Sequence, residues 1–195
     1  MYGGEKENMK IILASGSPRR KELMEKIGLK FEIDPAEIDE RKFKEKSAEK
    51  LVEILAVKKA EAVATRHPNS IIIGSDLTVA LDDHQIGKPE NATDAKKILK
   101  LLRDKTHQVL TGVAIINTAN NKTASAVETA NVKMRDYSDK EIDNYIATGE
   151  PLDKGGAYAI QGHGRKLIEK FSGDMELIIG LPTKTVLKLI KEVQK

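Results

Sequence analysis

Residues 71–89 read IIIGSDLTVALDDHQIGKP. Ile71, Ile72 and Ile73 form a short, wholly apolar, β-branched run, the pattern of a strand buried on both faces. The run ends at Gly74-Ser75-Asp76, so a carboxylate stands where a buried strand stops. Thr78 to Leu81 reads as further strand, Asp82-Asp83-His84 as a turn, and Gln85 to Lys88 as the return, closed by Pro89. A hairpin of this kind carries Lys88 back beside Thr78, about two positions from Asp76. Two readings fit this stretch equally: a salt bridge at a strand end, or an acid and a base held together for chemistry.

The flanks set the fold class. Lys10 to Ala14 reads as a first strand and Ser15-Gly16-Ser17 as a tight turn. Ser17 and Pro18 then open a helix that runs to Ile27 and stops at Gly28. Phe31 to Ile33 is a short strand leading into an acidic segment, Ala36 to Glu40. Ser47 caps a helix over Ala48 to Thr65, with Leu51, Leu55 and Ala62 on one face and Ile54 beside them. Thr93 caps a further helix. His107 to Asn117 and Lys122 to Met134 are long strands, the second alternating as if one face met solvent. Ser138 to Glu141 is a capping box for a helix closed by Gly149. After the loop at 150–156, Ala157 to Gln161 and Met175 to Ile179 read as strands. Val186, Leu187, Ile190 and Val193 give the last helix its inner face. Strands and helices mix without strict alternation, which points to an α/β or α+β fold on a mixed sheet. One domain over residues 10–195 follows a polar tail at 1–9.

Composition excludes several classes. With 33 Lys+Arg against 30 Asp+Glu the net charge is only +3, which argues against a nucleic-acid footprint. The absence of cysteine removes disulfides, thiolate metal sites and a Cys nucleophile, and accords with a cytosolic setting. No apolar run approaches the ~20 residues of a membrane span, and the first residues lack the apolar core of a signal peptide.

Arg19-Arg20-Lys21 places three cations in the first turn of a helix, where each opposes the helix dipole by roughly 0.3–1 kcal/mol. A bound anion would reverse that sign, and this reading is favoured over solvated arginines. The turn is neither a Walker A loop nor a nucleophile elbow. Lys58 falls within the apolar stripe of its helix and Lys59 towards the edge. Taken alone, Lys58 reads as a snorkelling side chain rather than a cleft residue. The four histidines are scattered, so any metal would be a hard cation held by carboxylates and a substrate phosphate. Cations Arg19, Arg20, Lys58, Lys88 and Lys154, with carboxylates Glu40, Asp76, Glu150 and Asp153, suit attack of water on a polyphosphate.

Four stretches in order, LASGSPRR (13–20), GSD with GKP (74–76, 87–89), HQVLTGV (107–113) and EPLDKGGAYAIQG (150–162), joined by GLP (180–182), resemble the Maf family of septum-formation-inhibitor-like proteins. The resemblance covers essentially everything from Lys10 onward. It implies an elongated mixed sheet flanked by helices, with two lobes and a central cleft, like the inosine triphosphatase fold. It also implies a cytoplasmic nucleoside triphosphate pyrophosphatase, often a homodimer, that uses a divalent cation, Mg²⁺ or Mn²⁺. By the same resemblance Asp76 is the proton acceptor; Lys88, Glu40 and Lys58 are catalytic cleft residues; and Asp76 with Glu40 hold the metal. Ser15, Arg19, Arg20, Leu77 and Gln161 contact the substrate. Arg19 and Gln161 resemble the dTTP/UTP branch. Leu77 stands where that branch usually has Thr, and Met175-Glu176 where two aromatics are common. A 7-methyl-GTP or broader modified-nucleotide preference is the nearest alternative. A non-catalytic nucleotide or nucleic-acid binder in cell-division control is the alternative from another class.

Overall fold

The computed structural model describes residues 9–82 and 84–195, so the tail expected at 1–9 lies outside it except for Met9, as does Asp83 of the expected turn. Strand β1 (Lys10–Leu13) feeds helix α1 (Pro18–Lys26), whose first turn holds Pro18 and whose Arg20 N–H is accepted by Ser17 Oγ. Strand β2 (Glu32–Ile33) and a 3-10 turn at Glu40–Lys42 precede helix α2 (Ala48–Ala64), capped by Ser47. Then follow β3 (Ser70–Leu81), β4 (His84–Ile86), α3 (Ala92–Leu102), β5 (Thr106–Asn117) and β6 (Lys122–Met134). Helix α4 (Asp139–Ile146), β7 (Ile168–Ser172), α5 (Met175–Ile179) and α6 (Thr183–Val193) complete the chain. The α/β class on a mixed sheet is the one observed. No described helix is long and apolar enough to cross a membrane.

The sheet runs β2-β1-β3-β5-β6-β7, with β4 also on β3. The β1 pairings are parallel and the rest antiparallel. Strand β5 lines one edge of β3 from Ile71 to Ala80. The other edge is shared: β1 takes Ser70–Ile73 and β4 takes Val79–Leu81. Residues 74–78 therefore face an opening between two neighbouring strands. The expectation that a strand stops at Asp76 is corrected here. It is the neighbour β1 that stops, while β3 continues through all twelve residues. The β4 register, Val79 opposite Ile86, carried past the end of that strand puts Lys88 opposite Leu77, one position from the expected Thr78.

Helix α2 covers one face of the sheet, with Ala56, Ala60 and Val63 packed on Ile12, Ile72, Ala114 and Ile116. Its approach is set by two glycines. A Cβ on Gly74 would lie 2.2 Å from the Ala56 carbonyl oxygen, and one on Gly112 would lie 2.3 Å from that of Val52. The opposite face carries the larger core, where α1, α3, α4, α5 and α6 bury Leu23, Leu99, Ile142, Leu177 and Val186 against Ile73, Val113 and their neighbours.

Three local readings are corrected. Asn91, not Thr93, caps α3 through a 3.0 Å bond from the Asp94 N–H. Residues 157–161 form no strand: Gly156 and Ala157 both take positive φ (70° and 58°), which breaks extended pairing. Met175–Ile179 is a helical turn and a half, capped by Asp174 and ended by left-handed Gly180. A five-residue apolar run does not distinguish helix from strand by itself.

His107 is 2% exposed on β5, with Nε2 2.7 Å from the Tyr158 hydroxyl and Nδ1 without a partner. Burial pulls its pKa down to about 4. The folded state thus disfavours the proton, so stability is full above the unfolded value near 6.5 and falls as pH drops towards 4. Urea unfolding should show a loss of about 2 kcal/mol between pH 7 and pH 5, absent in His107→Leu. An equal loss in both proteins would contradict the assignment.

Candidate functional site

The opening beside residues 74–78 is filled from three sides. From β1, the Ala14 N–H bonds the Ile73 carbonyl at 2.8 Å and the chain then turns away through Ser15, Gly16 and Ser17. From β4, Gly87 and Lys88 return along the edge, and the Gly87 carbonyl accepts from the Gly156 N–H at 3.0 Å. The third side is the loop at 150–162. Between them lie two adjoining cavities, of ≈ 730 and ≈ 520 Å³, both lined by Arg19, Arg20, Glu40, Lys59, Lys88 and Asp153. Asp76 and Leu77 line the second, Ser15 and Gln161 the first. A small apolar recess is bounded by Leu77, Val79, Ile178, Ile179, Arg19 and Gln161. Eight of the nine expected site residues thus converge.

The ninth, Lys58, does not. Its ammonium pairs with Glu61 at 2.6 Å on the outer side of α2 and its side chain is 43% exposed. Lys59 is the cleft residue: its ammonium meets Asp76 Oδ1 at 2.5 Å and Glu40 Oε1 at 2.7 Å, and its side chain is 12% exposed. The stripe that rests on the sheet is Val52, Ala56, Lys59, Ala60 and Val63, rotated by about one residue from the Leu51–Leu55–Ala62 stripe. Large side chains mislead here because the glycine-bearing strands accept alanines.

Asp76 is 8% exposed at the middle of β3. Burial raises its proton affinity above that of an ordinary carboxylate; Lys59 and then Arg20 pull it back, and Glu40 adds to the rise. Ionised Asp76 is therefore poised to accept a proton, a state its cationic neighbours sustain.

The two arginines differ. Arg20 is spent on the protein: Nε donates to the Gly180 carbonyl at 2.9 Å and Nη1 to Ser15 Oγ at 3.1 Å. Ser75 Oγ donates to the same carbonyl at 2.9 Å, so Arg20 ties the Ser15 turn to the end of α5 beside Asp76. Burial lowers the proton affinity of Arg20, against the opposing pull of Asp76. Arg19 lines all three cavities and, like Lys88, forms no ion pair or hydrogen bond through its side chain among the described residues. Lys21, the third cation, turns to Glu25 at 3.5 Å and stays out of the cleft. Two unpaired cations facing a buried carboxylate make a receptor for a polyanion.

A divalent cation has two carboxylates to use, since Asp76 and Glu40 already converge on one cationic atom, the Lys59 nitrogen. Among the described residues no group of three or more His, Cys, Asp or Glu could hold a metal. That donor set suits a hard ion completed by water and ligand oxygens, not an all-protein cage.

The model of the family described as Maf-like protein matches residues 10–193. A dTTP/UTP pyrophosphatase of Dictyoglomus turgidum is 49% identical over 173 residues, 88% of this chain and 90% of its own. One from Bacillus cereus is 45% identical over 189 residues, 96% of this chain and 92% of its own. A solved structure of a HAM1 protein from Coxiella burnetii superposes with a TM-score of 0.44 at 14% identity, over 67% of this chain and 75% of that one.

Removing one member of a buried pair costs more than removing an exposed lysine. Lys59→Met should lower the free energy of unfolding in urea by about 3 kcal/mol. Lys58→Met should change it by less than about 0.5 kcal/mol. The reverse order would show that the wrong lysine has been placed in the cleft.

Proposed function

The chain belongs to the Maf-like protein family, and we propose on that premise that it hydrolyses dTTP and UTP to the nucleoside monophosphate and pyrophosphate. The observation that carries the reading is Asp76, a carboxylate buried on a rigid strand, sharing its cleft with two cations, Arg19 and Lys88, whose side chains pair with no group among the described residues. A site for binding phosphate alone gains nothing from such a carboxylate, whose charge repels the ligand. A site for attacking phosphate with water can use one, to orient the water and take its proton.

In this reading Arg19 and Lys88 hold the polyphosphate, and their charge grows in worth as negative charge shifts to the departing pyrophosphate. Asp76 orients the attacking water and takes its proton. Lys59 keeps Asp76 ionised in its buried setting, and Arg20 fixes the Ser15 turn instead of spending its donors on substrate. The phosphorus–oxygen bond to the β-phosphate breaks, the water oxygen stays on the α-phosphorus, and pyrophosphate leaves without a strong general acid. Asp76 and Glu40 would hold a Mg²⁺ or Mn²⁺ ion, which when bound neutralises phosphate charge and favours the leaving group. Gln161 and Arg19 border the recess whose apolar wall, Leu77 with Val79 and Ile179, suits the flat face of a pyrimidine. Leu77 gives that wall no hydroxyl, and this keeps modified nucleotides, 7-methyl-GTP among them, as the second reading.

With Mg²⁺ present, dTTP and UTP should yield monophosphate and pyrophosphate in equal amounts, and EDTA should stop the reaction. Asp76→Asn should lower kcat by about 10²–10⁴-fold with its fold intact by circular dichroism. Nucleoside diphosphate and orthophosphate as products would overturn the reading. Faster turnover of 7-methyl-GTP would move the preference to the alternative. Tight binding of nucleotides without turnover would leave a sensor.

A further inference from the structure

Gln161 is exposed on a segment with no regular secondary structure, yet a side chain that reads a nucleobase must be held in place. The segment is clamped on both sides of it. Upstream, the Ala159 N–H donates to the Tyr145 hydroxyl oxygen at 3.2 Å. Downstream, Glu150 Oε2 accepts from the His163 N–H at 2.8 Å and the Gly164 N–H at 3.3 Å. Tyr145 projects from α4 and is 5% exposed, and the Glu150 N–H is itself accepted by Thr148 Oγ1 at 3.2 Å.

The two glycines of the segment fit these clamps closely. Gly162 has φ 93° and ψ −151°, a region only glycine enters readily, and a Cβ there would lie 2.5 Å from Glu150 Oε1. A Cβ on Gly164 would meet the Ala159 carbonyl oxygen at 2.6 Å and the Tyr145 hydroxyl at 2.7 Å. The segment therefore wraps a carboxylate and a phenol that point at its backbone, with Gln161 between the two anchor points. No catalytic step needs either group. Oε2 of Glu150 is taken up by backbone donors, and the Tyr145 oxygen by Ala159.

We propose that Glu150 and Tyr145 are positioning residues for nucleobase selection: they hold the backbone on either side of Gln161 so that its amide meets the base in one orientation. The proposal rests on the pyrophosphatase reading for the role of Gln161. It predicts that loosening either clamp blurs the choice of base while leaving phosphate chemistry largely alone.

The test compares kcat/KM for UTP and for GTP, and Kd for the non-hydrolysable α,β-methylene analogues of both, in Glu150→Ala, Glu150→Gln, Tyr145→Phe and Gln161→Ala. Glu150→Ala and Tyr145→Phe should each reduce the UTP-to-GTP ratio by about tenfold, the effect of one lost hydrogen bond. Glu150→Gln, whose amide oxygen still accepts from backbone N–H groups, should keep most of the preference. In a Gln161→Ala background, Glu150→Ala should have no further effect on the ratio. A uniform fall for both nucleotides, or an equal effect with and without Gln161, would overturn the proposal and leave Glu150 a general support of the fold. Absence of turnover in the unaltered protein would sink the pyrophosphatase reading, and the Kd ratios would still decide this one.

Discussion

The 2.5 Å contact between Lys59 and Asp76 is the interaction on which the rest of the site depends, and it exists because a helix lies unusually close to a sheet. Gly74 and Gly112 bring the backbone of α2 down on β3 and β5; any side chain there would strike the carbonyl of Ala56 or Val52. Glycine within a strand costs about 0.5–1 kcal/mol relative to alanine. Here the cost secures geometry. Gly112 stands directly opposite Asp76 in the ladder, so the residue that admits the helix is paired with the residue the helix serves.

That placement is a compromise between stability and chemistry. Burial raises the proton affinity of Asp76, and its cationic neighbours reverse this only in part. A carboxyl whose folded pKa exceeds its unfolded one favours folding below the unfolded value and loses that contribution as pH rises through the folded value. Ionised Asp76 at neutral pH is therefore a burden on the fold, carried by the two apolar cores on either face of β3. The opening in the sheet is of the same kind. Strand β3 gives up partners between β1 and β4 on one edge and is held along the other by the whole of β5. Rigid support on one side and access on the other is the arrangement a catalytic carboxylate needs.

Much of this was legible in the sequence. The capped helices at Ser17, Ser47 and Ser138, the long β5–β6 pair and the β3–β4 hairpin follow from local signals that the tertiary structure does not override. Arg19 and Lys88 stand out because they are cations beside turns that strands deliver to one place, and Asp76 because it is a lone carboxylate in an apolar strand; Gln161 is implied only by the resemblance to the Maf family. Lys59 was not legible from periodicity. Helix α2 carries apolar residues on most of its surface, and the Val52–Ala56–Ala60–Val63 stripe it lays on the sheet depends on partner glycines far along the chain, Gly74 eighteen residues beyond Ala56 and Gly112 sixty beyond Val52. The facing pairs Ala56–Gly74 and Val52–Gly112 appear only once the sheet register is known. Met175–Ile179 and residues 157–161 misled for a different reason, since short apolar runs take their conformation from caps and positive-φ turns.

The central claim is electrostatic: Asp76 is a buried carboxylate whose proton affinity burial raises and Lys59 lowers, with burial the larger influence. Carbon-13 NMR of the aspartate carboxyls, followed across pH in metal-free protein, measures this directly. The account predicts that Asp76 titrates above the ordinary 3.8 and moves further upward in Lys59→Met. Titration at or below 3.8, or a value unmoved when Lys59 is removed, would contradict it.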